Sequence, residues 1–294
     1  MDTANLQAFV AVADCGSFSL AAERLFVTQP AVSKRLRQLE ESLGSRLIDR
    51  RGRHMHLTQS GQALLPQARQ ILKELDALKQ HIAELEGSPM GRLSMATSHH
   101  IGLHRLPPVL RRFREHYPEV TLDLHFMDSE LACGRVEQGE LELAVVTLPF
   151  RQHDRLDYLP VWDDPLQPVA APEHPLCRRS RLDLDDLTDH PAVLPAHGTF
   201  TREAIEQALQ PVRDRLIIDL ETNYLETIKM MVSVGLGWSI LPRSMIDDSL
   251  AALPLEDFDA RRCLGVVRHR QHSASRAVEA MIGELRAVSD WHAG

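Results

Sequence analysis

The run Ser17-Phe18-Ser19-Leu20-Ala21-Ala22-Glu23-Arg24-Leu25, followed across Phe26-Val27 by Thr28-Gln29-Pro30-Ala31-Val32-Ser33-Lys34-Arg35-Leu36-Arg37-Gln38-Leu39, decides how this chain begins to fold. Ser17 or Ser19 caps a helix over Leu20–Leu25, Phe26-Val27 turns the chain, and Thr28 caps a helix from Gln29 to about Leu43. Pro30 sits in that helix's first turn, where a missing N–H costs nothing. Val32, Leu36, Leu39 and Leu43 recur at helical spacing and form an apolar stripe, while Gln29, Ser33, Lys34 and Arg37 fall on the opposite side. Two helices joined by a tight turn make a helix-turn-helix pattern, and short polar and forked basic side chains near a helix N-terminus suit base edges and phosphates in the major groove. From these residues alone, a solvated face in an all-α domain reads the same way.

The flanks favour nucleic acid. Upstream, Leu6, Phe9, Val10, Val12 and Ala13 repeat at helical spacing until Cys15-Gly16 ends the helix. Downstream, after Leu47-Ile48, the segment Arg50-Arg51-Gly52-Arg53-His54-Met55-His56-Leu57 alternates around a glycine turn flanked by arginines, as a β-wing touching the DNA backbone or minor groove does. Residues 1–60 balance to +2 while the whole chain carries −8, so the remainder stands at −10. A short basic segment on an acidic body presents one positive face to a polyanion.

Further on, Leu64, Ala68, Ile71, Leu75, Leu78, Ile82 and Leu85 alternate spacings of four and three residues, the 3.5-residue repeat of a coiled-coil seam. Thr58 is the expected N-cap and Gly87-Ser88-Pro89 the stop, giving a helix of roughly 28 residues and about 42 Å. Pro66 inside it predicts a kink. Such a seam packs on its own domain or on a second chain. The second arrangement places two reading helices on one duplex.

Beyond Arg92, strand-length apolar runs (Leu93–Ala96, Val120–Leu124, Leu141–Val146, Leu166–Ala171, Leu216–Leu220, Trp238–Leu241, Leu264–Val267) alternate with helical stretches at Leu106–His116, Thr201–Ala208 and Tyr224–Val234. This alternation predicts an α/β body with parallel sheets, in two lobes with a ligand crevice at the strand ends. The 294 residues suit two or three domains, and 44% hydrophobic with 25% charged residues are ordinary globular statistics. No run approaches a membrane span and the N-terminus lacks a basic signal region, so a soluble cytoplasmic protein without membrane partners is expected. Cys15, Cys133, Cys177 and Cys263 lie far apart with no CxxC pair, against a zinc ribbon or disulfide framework. Nucleophile elbow, Walker motif and GxGxxG are all missing, so neither enzyme activity nor a cofactor is expected. His99, His100 and His104 can be drawn as a metal constellation, but no carboxylate or cysteine accompanies them at short range, and no metal is expected. A purely architectural DNA binder without a ligand is the alternative function; about 200 residues of α/β body are superfluous for it.

The Ser17–Leu25 and Thr28–Ser33 runs, with Leu39-Glu40, Leu57-Thr58-Gln59-Ser60-Gly61 and the late Gly235-Leu236-Gly237-Trp238-Ser239-Ile240-Leu241-Pro242, resemble the LysR-type transcriptional regulators over nearly the whole chain. The resemblance implies a winged helix-turn-helix over residues 1–58, a dimerising linker helix over 59–88, and a periplasmic-binding-protein-like effector domain over 92–294. Lobe I of that domain covers about 92–163 and 266–294, lobe II about 164–265. It also implies homotetramers at promoters, with RNA polymerase as a further candidate partner. By resemblance Gln29, Pro30, Ser33, Lys34 and Arg37 belong to the reading helix, and Arg50, Arg51 and Arg53 to the wing. The effector contacts fall at Thr97, Ser98, His99 and His100, at Thr147, at Thr199, Phe200 and Thr201, and at Thr222 and Asn223. Ala96–Pro108 is similar in outline to the sulfate-responsive branch and departs from it at His100 and Ile101. Hydroxyl and imidazole groups in a strand-to-helix turn with free N–H donors suit a small anionic metabolite. Thr97 and Ser98 are equally able to cap the helix that follows.

Overall fold

The computed structural model describes residues 2–51, 54–84, 89–256 and 258–291. Its contacts divide the chain into two units, Met1–Gly87 with Gln138–Glu140 and Gln271–Ser275, and Ser88–Glu137, Leu141–Arg270 and Arg276–Gly294.

The first unit contains α1 (Thr3–Cys15), α2 (Phe18–Arg24), α3 (Gln29–Leu43), a hairpin of β1 (Ile48–Arg51) and β2 (His54–Leu57), and α4 (Gln59–Glu84). Asp2 caps α1, which stops at Gly16 in the left-handed region. Ser17, not Ser19, caps α2 by accepting the Leu20 N–H at 3.4 Å. Thr28 occupies the cap position of α3, but its side chain makes no capping bond; Pro30, with its preset φ, stands in the first turn. Leu6, Phe9, Val12, Ala21, Val32, Leu36, Leu39 and Leu47 form one buried core, which Leu43, 40% exposed, does not join.

Thr58 caps the linker helix, accepting the Gly61 N–H at 3.1 Å while its hydroxyl donates to the Arg46 carbonyl. Gly61 is needed because a Cβ there would stand 2.1 Å from the Leu47 carbonyl oxygen, where the helix starts against the chain entering the hairpin. The helix continues through Pro66. Its seam divides: Ala68 is buried in the core, with Leu64 and Ile71 packed against it, whereas Leu78 is 55% exposed. The side chain of Ile82 and all of Leu85 lie outside the described residues.

The second unit runs β3 (Gly91–Thr97), α5 (His99–His104), α6 (Leu106–His116), β4 (Val120–Phe126), α7 (Ser129–Glu137), β5 (Leu143–Thr147), β6 (Leu156–Ala170), β7 (Ala192–Leu194), α8 (Phe200–Ala208), β8 (Ile218–Glu221), α9 (Leu225–Ser233), β9 (Ser239–Pro242), β10 (Ala251–Ala252), β11 (Ala260–His269) and α10 (Arg276–Arg286). One seven-stranded sheet has the order β10-β6-β11-β5-β3-β4, with β9 also on β6; β7 and β8 form a parallel pair. The expectation of parallel sheets holds for the β7–β8 pair and is corrected for the large sheet, which is mixed. Only β3 pairs in parallel within the large sheet, with β4 and β5, whereas β11 and β6 pair antiparallel with all their neighbours.

Strands β6 and β11 carry the chain between lobes. Leu156, early in β6, is buried with Ala132 and Val136 of α7, while Leu166 and Ala170, late in the same strand, are buried with Ala204 and Ile205 of α8. In this second lobe the two-residue period sorts side chains between faces: Leu194 and Ile240 point into the α8 core, Val193 and Leu241 into the core with Ile228 and Val232 of α9. Gly237, at φ 153°, completes the turn before β9; a Cβ there would lie 2.4 Å from the Pro191 carbonyl oxygen.

Candidate functional site

In the first unit, α3 turns Val32, Leu36 and Leu39 inward and leaves Gln29, Pro30, Lys34 and Arg37 exposed, with Ser33 half-buried beside them. Glu40 accepts the Leu47 N–H at 2.8 Å and so ties the chain entering the hairpin to the back of the helix. Arg50 and Arg51 lie on β1 near its turn end, paired with Met55 and His54; their side chains, and all of Arg53, lie outside the described residues.

In the second unit, turns from both lobes meet in a cavity of about 40 Å³. It is lined by Ser98, His99, His100, Asp128, Ser129, Glu130, Thr147, Pro195, Thr199, Thr201, Asn223, Leu225 and Arg262. That volume holds a few waters. Eight of the ten sequence-derived effector residues come together in or against this wall. Seven side chains line it: Ser98, His99, His100, Thr147, Thr199, Thr201 and Asn223; Phe200 contributes its backbone N–H at the same edge. Two do not join them. Thr97 is fully buried on β3 with its hydroxyl donating to the Val145 carbonyl at 2.9 Å, because strand alternation turns it into the sheet. Thr222 accepts the Tyr224 N–H at 3.5 Å and is not in the wall.

Each wall group is positioned by a local bond. Ser98 stands at the N-cap of α5 without making a side-chain capping bond, which leaves its hydroxyl uncommitted to the helix. Thr199 caps α8, accepting the Arg202 N–H at 3.2 Å and donating to the Ala196 carbonyl at 2.9 Å. Arg202, itself buried, donates to the Pro195 carbonyl and to Glu206 and Glu221, pinning the first turn of α8 to the loop before it. Asn223 accepts the Ala196 N–H at 3.1 Å and donates to Asp128 at 2.8 Å across the lobes.

Sequence reasoning missed the charged members. Arg262 on β11 is buried, donates through Nε to Asp164 at 2.9 Å, and reaches the Thr201 hydroxyl at 3.0 Å. Glu130, at the start of α7, accepts the N–H of Phe200 at the start of α8. Burial pushes the Glu130 carboxyl above the usual range, and the nearby Asp128 and Glu203 push the same way, against the pull of that N–H. Glu226 on α9 takes Nδ1 of His100 at 3.3 Å and Nε2 of His104 at 3.0 Å. Burial raises the Glu226 carboxyl, but the His100 imidazole, the residue's own backbone N–H and the His104 imidazole together outweigh it and hold the group down at about 2. Burial lowers the His100 imidazole against the pull of Glu226, and its Nε2 is buried without a hydrogen-bond partner among the described residues. These charges lie 61 to 126 residues from the groups they bond, and no local pattern marks them.

The four cysteines are free thiols. Burial pushes Cys133 up to about 12 and Cys263 up to about 11, the opposite of an activated thiolate.

A helix-turn-helix unit with a polar exposed face, joined to a two-lobed α/β body with a polar cleft, defines a DNA-binding regulator with a ligand-binding domain. Residues 3–62 match the bacterial regulatory helix-turn-helix protein, lysR family, and residues 86–290 match the LysR substrate binding domain. The chain is 30% identical to the HTH-type transcriptional activator CmpR of Synechocystis over 286 residues, 96% of this chain and 93% of that protein. Among solved structures it resembles full-length OxyR from Pseudomonas aeruginosa (TM-score 0.78, 23% identity, 98% and 96% of the two chains). It also resembles full-length CbnR in complex with its target DNA (TM-score 0.66, 20% identity, 98% and 100%). These two likenesses show the fold. The chain belongs to the LysR family of bacterial transcriptional regulators. Among the described residues no helix is long and apolar enough to cross a membrane.

Proposed function

We propose that this regulator binds promoter DNA as a dimer or higher oligomer through the exposed face of α3 and the hairpin arginines, and that a small anionic metabolite in the cleft sets its action there. The observation that carries the effector reading is the convergence of donors from both lobes: the Ser98 hydroxyl, the Thr201 and Arg262 pair, and the N-terminal N–H of α8. A helix N-terminus beside a guanidinium is an anion seat. In this closed arrangement the chain's own Glu130 occupies the helix end, so an effector anion takes that place from it. A body balanced at −10 repels anions at long range, and recognition rests on these local donors. Because the wall comes from both lobes, the ligand favours one lobe geometry over the other, which is the condition for changing the regulator's state at DNA. Contact with RNA polymerase and a cytoplasmic location complete this reading.

The experiment is a thermal-shift screen of the full chain against small organic and sulfur-containing anions. An anion at a hundred times its Kd should add about 2.7 kcal/mol of stability. A screen in which no anion stabilises the protein would favour the ligand-independent DNA binder.

A further inference from the structure

Helix α5 carries His100 and His104 four residues apart, which sets both imidazoles on one face; their ring centroids are 4.8 Å apart. Opposite them, from the other lobe, Glu226 sends a single oxygen, Oε1, to both rings, at 3.3 Å from Nδ1 of His100 and 3.0 Å from Nε2 of His104. One donor atom from each of the three residues lies within 4.8 Å of the others. Four ligands at about 2.0–2.1 Å around a tetrahedral ion stand about 3.3 Å from one another. The two distances to Glu226 already match that spacing, and only the two imidazoles need to close, by a rotation of the exposed His104 ring. His104 is 46% exposed, so the cluster opens to solvent, while His100 is 4% exposed and fixed in the packing.

We propose that His100, His104 and Glu226 form a binding site for a divalent transition metal ion of the zinc class, which clamps α5 of one lobe to α9 of the other. Two imidazoles and a carboxylate are the ligand set that borderline ions such as Zn²⁺ and Co²⁺ prefer over Mg²⁺ or Ca²⁺, and the fourth position falls to water. The ion adds a bond between lobes that already meet through hydrogen bonds, the edge-on His99–Tyr224 ring contact and the packing of Phe200, and stabilises this arrangement by its differential affinity for it. Metal on Nδ1 of His100 puts that ring's proton on Nε2, an atom that is buried without a hydrogen-bond partner among the described residues. The site shares His100 with the cleft wall but does not rest on the effector reading, since it uses neither Arg262 nor the N-terminus of α8.

The test is titration of chelator-stripped full-length protein with CoCl₂, with no effector present, so its outcome does not depend on the cleft's ligand. Visible ligand-field absorption should saturate at one equivalent and be erased by ZnCl₂. His104→Gln and Glu226→Gln should each weaken Co²⁺ at least tenfold with circular dichroism unchanged. If Glu226→Gln fails to fold, the half-exposed His104 position decides alone. Absence of the absorption, or equal affinity in a folded His104→Gln protein, would overturn the proposal; the second result would place the ion among the other histidines of the 15 in the chain.

Discussion

Phe26 sits in the turn between α2 and α3 with φ 53°, the sole non-glycine at positive φ among the described residues, and its ring is 95% exposed. A Cβ in the left-handed region crowds the following carbonyl at a cost of about 1–2 kcal/mol, which asparagine offsets by bonding locally, and no burial of the ring repays it. Phe26→Asn should therefore raise unfolding stability by about 1 kcal/mol in urea melts; a loss would mean that the ring is packed in solution. At this scale the sequence reveals residues by type, not by direction. The hydroxyls and imidazoles of the cleft were placed by the family resemblance, with their clustering in short turns as support. The inward turn of Thr97 was not, since it depends on strand register, and Asp128, Glu130, Glu226 and Arg262 each read locally as ordinary surface charge.

Helices with an unbroken apolar period were legible to within a residue or two: α3 was expected from Gln29 to about Leu43 and ends at Leu43. Strand β6 was half seen, because Pro160, Pro165 and Asp163-Asp164 interrupt the apolar run that continues as Leu166–Ala170. For α3, Gln29→Ala should cost about 1–3 kcal/mol at the cognate promoter and little on random DNA. Lys34→Ala should weaken all sequences alike and reduce the salt slope by about 0.9. Equal losses on both DNAs for Gln29→Ala would remove it from base readout. Along α4 the periodicity could not say which partner each turn of the seam meets. Ile71 packs on the core of its own unit and Leu78 is exposed. Leu78→Lys should thus leave thermal stability near wild type while dissociating the dimer in light scattering, and Ile71→Lys should lower stability by several kcal/mol. A Leu78→Lys protein that remained dimeric would move the interface elsewhere.

Across the effector domain, β6 and β11 fix the lobes to a common sheet, and three polar bridges hold their mouths together: Asp128 to Asn223, Glu226 to the α5 histidines, and Glu130 to the α8 N-terminus. The last is the one whose charge opposes both folding and an incoming anion. Burial, with Asp128 and Glu203 nearby, raises the Glu130 carboxyl, and the Phe200 N–H only partly offsets this. A carboxyl raised on folding contributes stability that is complete below its unfolded pKa and is lost as pH climbs through the folded value. Relative to a Glu130→Gln variant, whose side-chain carbonyl still accepts the Phe200 N–H, the wild type should lose stability as pH rises above the ordinary carboxylate range. The two proteins should differ most at neutral pH, with the variant the more stable. The same substitution removes a negative charge from the anion seat, so calorimetry at neutral pH should find the effector anion bound about tenfold more tightly, equivalent to about 1.4 kcal/mol. Parallel pH profiles for the two proteins would show that Glu130 ionises without cost, and weaker anion binding by the variant would assign the α8 terminus to Glu130 rather than to a ligand.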